Sequence, residues 1–319
     1  MPAAPSPEAS PAAFRDIVVT GATGYIGRHL VRHLAEQGRP VYLLGRRGFD
    51  RAQASATPVL GAVADAVGLI DHDGTPAALA EGLAKLHDPV VIHLAGLFIS
   101  RHGPDDLDPL IQANLAFPCL LFEAMRIAGC RKLVNVGTAW EHGPDGRYQP
   151  VNLYASMKAA TQRILDYYVE GEGFRAVTLK LLDTYGRDDP RRKLLPLLRR
   201  HARTGEVLAM TQGRQRINLT YIDDVLDALI AAAETAGTAP EGTHHACFVL
   251  GEESPTVRDL VALIVAETGC RIDVAWGAHP EHPRQPPEPW LDAPRPPGWS
   301  PRVPLAEGLR RYFGDSGDA

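Results

Sequence analysis

Residues 17–27 read Ile17-Val18-Val19-Thr20-Gly21-Ala22-Thr23-Gly24-Tyr25-Ile26-Gly27. The apolar run Ile17-Val18-Val19 reads as a short buried strand. From Tyr25 to Gln37 the apolar residues Ile26, Leu30, Val31 and Leu34 fall at helical spacing. The stretch is therefore strand, glycine turn, helix. Gly21 permits a tight turn, Gly24 removes a side chain where a pyrophosphate must approach the backbone, and Gly27 lets the helix pack close to the strand. The unpaired N–H groups and positive dipole end of that helix then face an anion. Glycines at this density also occur in ordinary βα turns, so the reading needs support from the rest of the chain.

Downstream, Gly38 suits the end of this helix, and Pro40 to Leu44 makes a second strand. Its exit is Gly45-Arg46-Arg47, with no carboxylate before Asp50. A turn that binds NAD usually has Asp or Glu here, about 20 residues past the glycines, to accept hydrogen bonds from the adenosine ribose. A guanidinium at Arg46 or Arg47 suits a 2′-phosphate and stacking on adenine instead, which favours NADP(H). Exposed loop arginines are the alternative. A weak strand over 67–70 leads to Asp71, and Thr75-Pro76 reads as N-cap and first residue of a helix reaching about Leu86. Pro89 to Leu94 is a fourth strand closing in His93-Leu94-Ala95-Gly96, with His93 read as a packed structural histidine.

Leu107 to Ala128 reads as one long helix stopped by Gly129. It carries Asn114, whose poor helical propensity requires another contact to hold it. Lys132 to Gly137 is a fifth strand that delivers Thr138, and Asn152 caps a helix on which Tyr154 and Lys158 stand one turn apart on the same face. Further on, Arg191 to Arg203 reads as a helix split in two by Pro196. Tyr221 to Ala233 is a helix whose early acids, Asp223 and Asp224, suit its dipole. A strand over Arg271 to Val274 and a last helix over Val303 to Phe313 flank a stretch, 277–301, too proline-rich for regular structure.

Composition bounds the possibilities. The 319 residues allow one large α/β unit plus a small second lobe, and 45% hydrophobic with 22% charged residues is an ordinary globular balance. A net charge of −5 argues against a general nucleic-acid or membrane-surface role, which needs a basic face. The basic clusters Arg191-Arg192-Lys193 and Arg199-Arg200 are open to two readings, a solvated helix face or a hold on a phosphorylated substrate. No run approaches the roughly 18 consecutive apolar residues of a membrane span. Residues 1–13 are expected to be a disordered Pro/Ala/Ser-rich extension rather than a signal peptide. Cys119, Cys130, Cys247 and Cys270 are dispersed among apolar residues, so they read as reduced thiols of a cytoplasmic protein and no metal site is expected.

Several stretches together carry a resemblance: Gly21-Ala22-Thr23-Gly24-Tyr25-Ile26-Gly27, His93-Leu94-Ala95-Gly96, Thr138, Tyr154-x-x-x-Lys158, Tyr185-Gly186, and Arg216 followed by Tyr221-Ile222-Asp223-Asp224-Val225. From about Asp16 to Ala233 the chain resembles an extended short-chain dehydrogenase/reductase of the nucleotide-sugar epimerase, dehydratase and reductase type. The resemblance implies an α/β fold with a Rossmann-type doubly wound parallel sheet. An NADP(H)-binding domain over 14–180 and a smaller substrate lobe over 181–319 follow, with about 206–235 returning to the first domain. It further implies that Gly21, Thr23, Gly24, Tyr25, Ile26, Gly27, Asp71, Leu94, Ala95 and Gly96 meet the cofactor, alongside Arg46 and Arg47. Asn114 is expected to fix active-site geometry, and the helices carrying Asn114 and Tyr154 to form a homodimer interface.

In this family Tyr154 would donate a proton to a carbonyl oxygen as hydride reaches the carbonyl carbon, and Thr138 would orient that oxygen. Lys158 would lower the phenol pKa and hydrogen-bond the nicotinamide ribose. Dehydratases of the family resemble one another in an Asp-Glu pair after the threonine; Ala139-Trp140 stands here, which argues against dehydration. Trp140, Glu141 and His142 then fall in the loop that shapes the sugar pocket, with Lys193 and Arg216 as phosphate-holding cations. Asp183 is either a substrate acceptor or a structural one. The expected activity is NADPH-dependent reduction of the C4 ketone of a dTDP- or CDP-linked 4-keto-6-deoxyhexose. The alternatives are an NAD-dependent nucleotide-sugar 4-epimerase and a non-catalytic NADP(H) sensor.

Overall fold

Residues 14–281, 284 and 286–314 are described by the computed structural model; the expected extension over 1–13 lies outside them. The first turn folds as its residues dictate. Strand β1 (Ile17–Thr20) is wholly buried, and helix α1 (Tyr25–Glu36) follows with Gly24 at its N-cap. A Cβ at Gly27 would lie 2.2 Å from the Gly21 carbonyl oxygen, so only glycine lets α1 begin this close to the strand it leaves. Strand β2 (Val41–Leu44), helix α2 (Arg51–Ala56) and strand β3 (Gly68–Ile70) come next. Thr75 caps α3 (Pro76–Leu83) by accepting from Ala78 N–H at 3.2 Å, with Pro76 in the first turn, where its missing N–H costs nothing.

Strand β4 (Val90–His93) leads into α4 (Leu107–Ile111), a π-helical turn (Gln112–Ala116) and α5 (Phe117–Ala128), which together form the single long helix read from the sequence. By length and composition the 25 residues from Pro104 to Ala128 would also suffice to cross a bilayer; here they pack against α3 and α6 (Leu153–Glu172). Strands β5 (Lys132–Thr138), β6 (Arg175–Leu181) and the short β7 (Asp183–Tyr185) complete this part.

Helix α7 (Leu194–Thr204) is one piece rather than the two expected, because Pro196 falls in its first turn, where no intrahelical donor is needed. Strands β8 (Leu208–Met210) and β9 (Leu219–Tyr221), helix α8 (Ile222–Thr238), strand β10 (Thr243–Val249), helix α9 (Val257–Thr268), strand β11 (Val274–Trp276) and helix α10 (Leu305–Gly314) finish the chain. The strand expected at Arg271 to Val274 therefore starts three residues later, at the register in which Val274 to Trp276 pair with β8.

The main sheet has seven strands, all parallel, in the order β10-β6-β5-β4-β1-β2-β3. The order reverses between β1 and β4, which opens a crevice at the carboxyl ends of the strands on the side of the glycine turn. Two apolar clusters cover its faces. One joins α1, α8 and α10 to the sheet, and the other gathers α3, α5 and α6 around Val18, Val91 and Leu133. Separate two-stranded pairs, β7 with β9 and β8 with β11, carry the chain beyond the crevice.

The proline-rich stretch is irregular where described, and it is tied down at several points. Phe248 N–H donates to Pro294 O at 2.7 Å, Arg216 N–H to Pro287 O at 2.7 Å, and Trp299 Nε1–H to Asp224 O at 3.0 Å. The Asp224 carboxylate, at the start of α8, also receives the backbone N–H groups of Arg302 and Val303.

Candidate active site

The crevice is a cleft of about 230 Å³ lined by Gly21, Gly24, Tyr25, Ile26 and Gly27 from the first turn, by Leu94 and Gly96 after β4, and by Thr138, Tyr154 and Lys158. Residues 117 positions apart in the chain thus share one wall only because β1, β4 and β5 lie side by side. Trp140, Asp183 and Lys193 line it as well.

Thr138 ends β5, and its hydroxyl accepts from Trp140 N–H at 3.3 Å, which leaves its own proton to donate. Asn152 starts α6 by accepting from Ala155 N–H at 2.9 Å, and this cap sets Tyr154 and Lys158 in the first two turns. Lys158 is buried, and burial pushes its ammonium down to about 8, an effect that the negative charge of Glu141 partly opposes. The Tyr154 phenol moves opposite to the expectation that Lys158 lowers it. Burial raises it well above the ordinary value, and the Glu141 carboxylate raises it further. The phenol is therefore protonated at neutral pH, the form a proton donor needs.

Asn114 sits in the π-helical turn and is fully buried. Its side chain donates to Leu97 O at 2.9 Å and Leu110 O at 3.0 Å and accepts from Leu97 N–H at 3.2 Å. Its backbone carbonyl, whose partner four residues on would be Pro118 with no N–H to donate, accepts from the Thr161 hydroxyl on α6. Asn114 thus clamps the segment after β4 to the helix that carries Tyr154. His93 is packed as expected: Thr20 Oγ1 lies 2.8 Å from its Nδ1 while also accepting from Ala95 N–H at 3.1 Å.

Burial, and then the charge of Lys158, lower His93 from 6.5 to about 3. Below pH 6.5 the unfolded chain binds a proton that folded His93 refuses, so its stabilising contribution is complete above 6.5 and is lost as pH falls towards 3. The melting temperature should drop across that window. His93→Gln should flatten the drop, and an unchanged slope would remove His93 as its cause.

Glu141 departs from its expected place among the substrate residues. It is 2% exposed and lines neither cleft; Oε2 lies 2.7 Å from Lys180 Nζ, and Oε1 accepts from Thr138 N–H at 3.3 Å. The carboxylate of the third residue in the turn after β5 points back under the sheet, where the β6 lysine meets it. Lys180 Nζ also lies 2.8 Å from His142 Nε2, while His142 Nδ1 lies 2.9 Å from Gly146 O. The Gly146 carbonyl can only accept, so Nδ1 carries the proton and Nε2 accepts from Lys180. His142 packs between Phe248 and Trp290 and lines a second cleft of about 410 Å³.

This second cleft shares Phe98, Trp140, Asp183 and Lys193 with the first, and continues to Arg192, Asn218, Arg216, Pro286 and Pro289. Asp183 and Lys193 form an ion pair at 2.8 Å on the boundary. Arg216 is half exposed; its Nη1 donates to Ser254 O at 2.6 Å, with Glu288 3.8 Å away. Arg46, Arg47 and Asp71 are exposed and line neither cleft, and Thr23 is exposed beside the turn. At the β2 exit a Cβ on Gly45 would fall 2.3 Å from the Phe49 ring, so that ring occupies the space a ribose-binding carboxylate would need.

Some lining residues escaped the sequence reading. Phe98 stands two residues past Gly96, with its ring edge-to-face against Tyr154 at 5.2 Å and Trp140 at 5.8 Å. Its one signal is nearness to the small-residue motif. Arg191 and Arg192 belong to a basic cluster whose role the sequence left open, and they divide between the clefts.

A parallel sheet reversing at a glycine turn, with a Tyr-x-x-x-Lys helix on the same crevice, defines an extended short-chain dehydrogenase/reductase. The chain belongs to the NAD dependent epimerase/dehydratase family, whose model matches residues 17–246. It is 30% identical over 321 residues to a dTDP-6-deoxy-L-talose 4-dehydrogenase (NAD(P)(+)) of Kitasatospora kifunensis, covering 93% of this chain and 94% of that one. It is 29% identical over 215 residues to a CDP-abequose synthase of Yersinia pseudotuberculosis, covering 67% and 71%. Among solved structures, UDP-glucuronic acid 4-epimerase from Bacillus cereus, in complex with UDP-glucuronic acid and NAD, superposes with a TM-score of 0.79 at 22% identity over 94% of this chain and 98% of that one.

Proposed function

We propose that the protein reduces the C4 ketone of a dTDP- or CDP-linked 4-keto-6-deoxyhexose with NADPH. The observation that carries this reading is the convergence of Thr138, Tyr154 and Lys158 on the cleft lined by the Gly21–Gly27 turn. That turn and the start of α1 fit a dinucleotide, and Lys158 is placed to hold its nicotinamide ribose. NADPH, when bound, supplies hydride to the carbonyl carbon. Tyr154 donates its phenolic proton to the carbonyl oxygen, and the Thr138 hydroxyl hydrogen-bonds that oxygen and orients it. The sugar moiety lies across the boundary at Phe98, Trp140 and Asp183, and the nucleotide extends into the second cleft towards Arg216. The activities named for the Kitasatospora and Yersinia relatives support a deoxysugar substrate.

Selection of NADPH rests on the β2 exit, where Phe49 shuts out a carboxylate at position 45 and the exposed Arg46 and Arg47 are offered to a 2′-phosphate. Arg46→Ala is expected to weaken NADPH binding by about 1.5 kcal/mol, tenfold in Kd, and to leave NADH unaffected. Titrating both cofactors into wild type and variant checks this; equal losses for the two would overturn the assignment. The activity is tested by following NADPH oxidation with dTDP- and CDP-4-keto-6-deoxyhexoses, and no oxidation with any of them would sink the reductase reading. A 4-epimerase would instead interconvert C4 epimers with no net oxidation.

A further inference from the structure

We propose that Arg191 binds the pyrophosphate of the dinucleotide, a role that rests on the cofactor reading above. Arg191 lies in the loop between β7 and α7, 164 residues beyond the last glycine of the turn, yet it lines the same cleft as Gly21, Gly24 and Gly27. Its guanidinium stands 4.1 Å from the centroid of the Tyr25 ring, the first residue of α1. The cation is thus held over the first turn of α1, where unpaired N–H groups face an anion.

The loop is fixed at this spot from both sides. Arg28 of α1 donates to Asp188 O, and Arg187 pairs with Asp223 of α8 at 2.6 Å. Within the loop, Asp189 receives Arg191 Nε at 2.7 Å and Nη2 at 2.8 Å, and Thr184 O receives Nη2 at 2.6 Å. These bonds leave Nη1 uncommitted among the described residues. The Asp189 side chain is 1% exposed and that of Arg191 is 26%, so the cleft meets the cation of the pair, and the carboxylate serves to orient it.

The other cations that line this cleft are engaged elsewhere. Lys158 is buried against Gly96, and Lys193 is paired with Asp183. A glycine turn offers a pyrophosphate only backbone dipoles; Arg191, whose Nε and Nη2 are held by Asp189 and Thr184, adds a pre-oriented, charge-assisted donor at Nη1. The hydroxyl of Tyr25, in the same wall, is buried without a hydrogen-bond partner among the described residues.

The test is a binding titration that needs no turnover. Wild type, Arg191→Gln and Arg191→Lys, all full length and checked for fold by circular dichroism, are titrated with NADPH, NADH and adenosine 2′-phosphate, which lacks the pyrophosphate. Arg191→Gln should weaken NADPH at least tenfold and leave adenosine 2′-phosphate unchanged, and Arg191→Lys should recover part of the loss. The dependence of NADPH affinity on salt should be shallower in Arg191→Gln. NADPH binding unchanged in Arg191→Gln, or adenosine 2′-phosphate weakened by the same factor, overturns the role of Arg191 and leaves the cofactor reading standing. Wild type that binds neither dinucleotide overturns the cofactor reading and this inference with it.

Discussion

Lys180→Met is expected to destabilise the fold by about 3–5 kcal/mol, the cost of leaving one buried charge without its partner. The side chains of Lys180 and Glu141 are 5% and 2% exposed, and they meet at 2.7 Å between β6 and the turn after β5. Removing the ammonium strands the carboxylate beneath Thr138 and also takes the donor from His142 Nε2. Removing both charges, in Glu141→Gln with Lys180→Met, should recover most of the loss, because the penalty lies in the unpaired charge rather than in the missing contact. Chemical denaturation of the single and double variants measures this. A cost below about 1 kcal/mol for Lys180→Met, the range of an exposed pair, would show that the pair is solvated.

Tyr154→Phe is expected to lower turnover by a factor of about 100 to 10,000, the usual contribution of a positioned proton donor. Cofactor affinity should change little. The phenylalanine ring keeps the edge-to-face contact with Phe98, so the variant removes the phenolic proton and little packing. Turnover within tenfold of wild type would take Tyr154 out of the donor role. Because the phenol is held above its ordinary pKa, the proposed reduction should not lose Tyr154 as its proton donor anywhere in the neutral range.

Much of this architecture was legible in the residues themselves. The strand and helix around Gly21 to Gly27, the Thr75 and Asn152 caps and the Tyr154-x-x-x-Lys158 spacing are local features, set by hydrogen bonds and side-chain directions within a turn or two. Asn114 was also legible as a residue needing a partner, although the partner, the backbone of Leu97, was not. Misjudged boundaries have local causes too. Pro196 looks like a helix breaker until the helix start is known, and it then falls in the one turn that tolerates it.

Glu141 was misplaced for a different reason. Its position next to Trp140 suggested the pocket, but its partner is 39 residues away on a neighbouring strand, and no local pattern shows which side of the turn a carboxylate takes. The exit of β2 behaves alike: the sequence displays a missing carboxylate at Gly45, and the Phe49 ring that forbids one is visible only once the loop is folded.

By itself, then, the sequence determined the strand, turn and helix around Gly21 to Gly27 and the one-turn separation of Tyr154 and Lys158 on their helix, since those depend on spacing along the chain. The tertiary structure alone decided which charges face the cleft. It buried Glu141 against Lys180, paired Asp183 with Lys193, and laid Arg191 on Tyr25 at the start of α1. The physical reason is that a charged side chain goes wherever a partner or water meets it, and partners are supplied by strand order and loop path, which spacing along the chain does not encode.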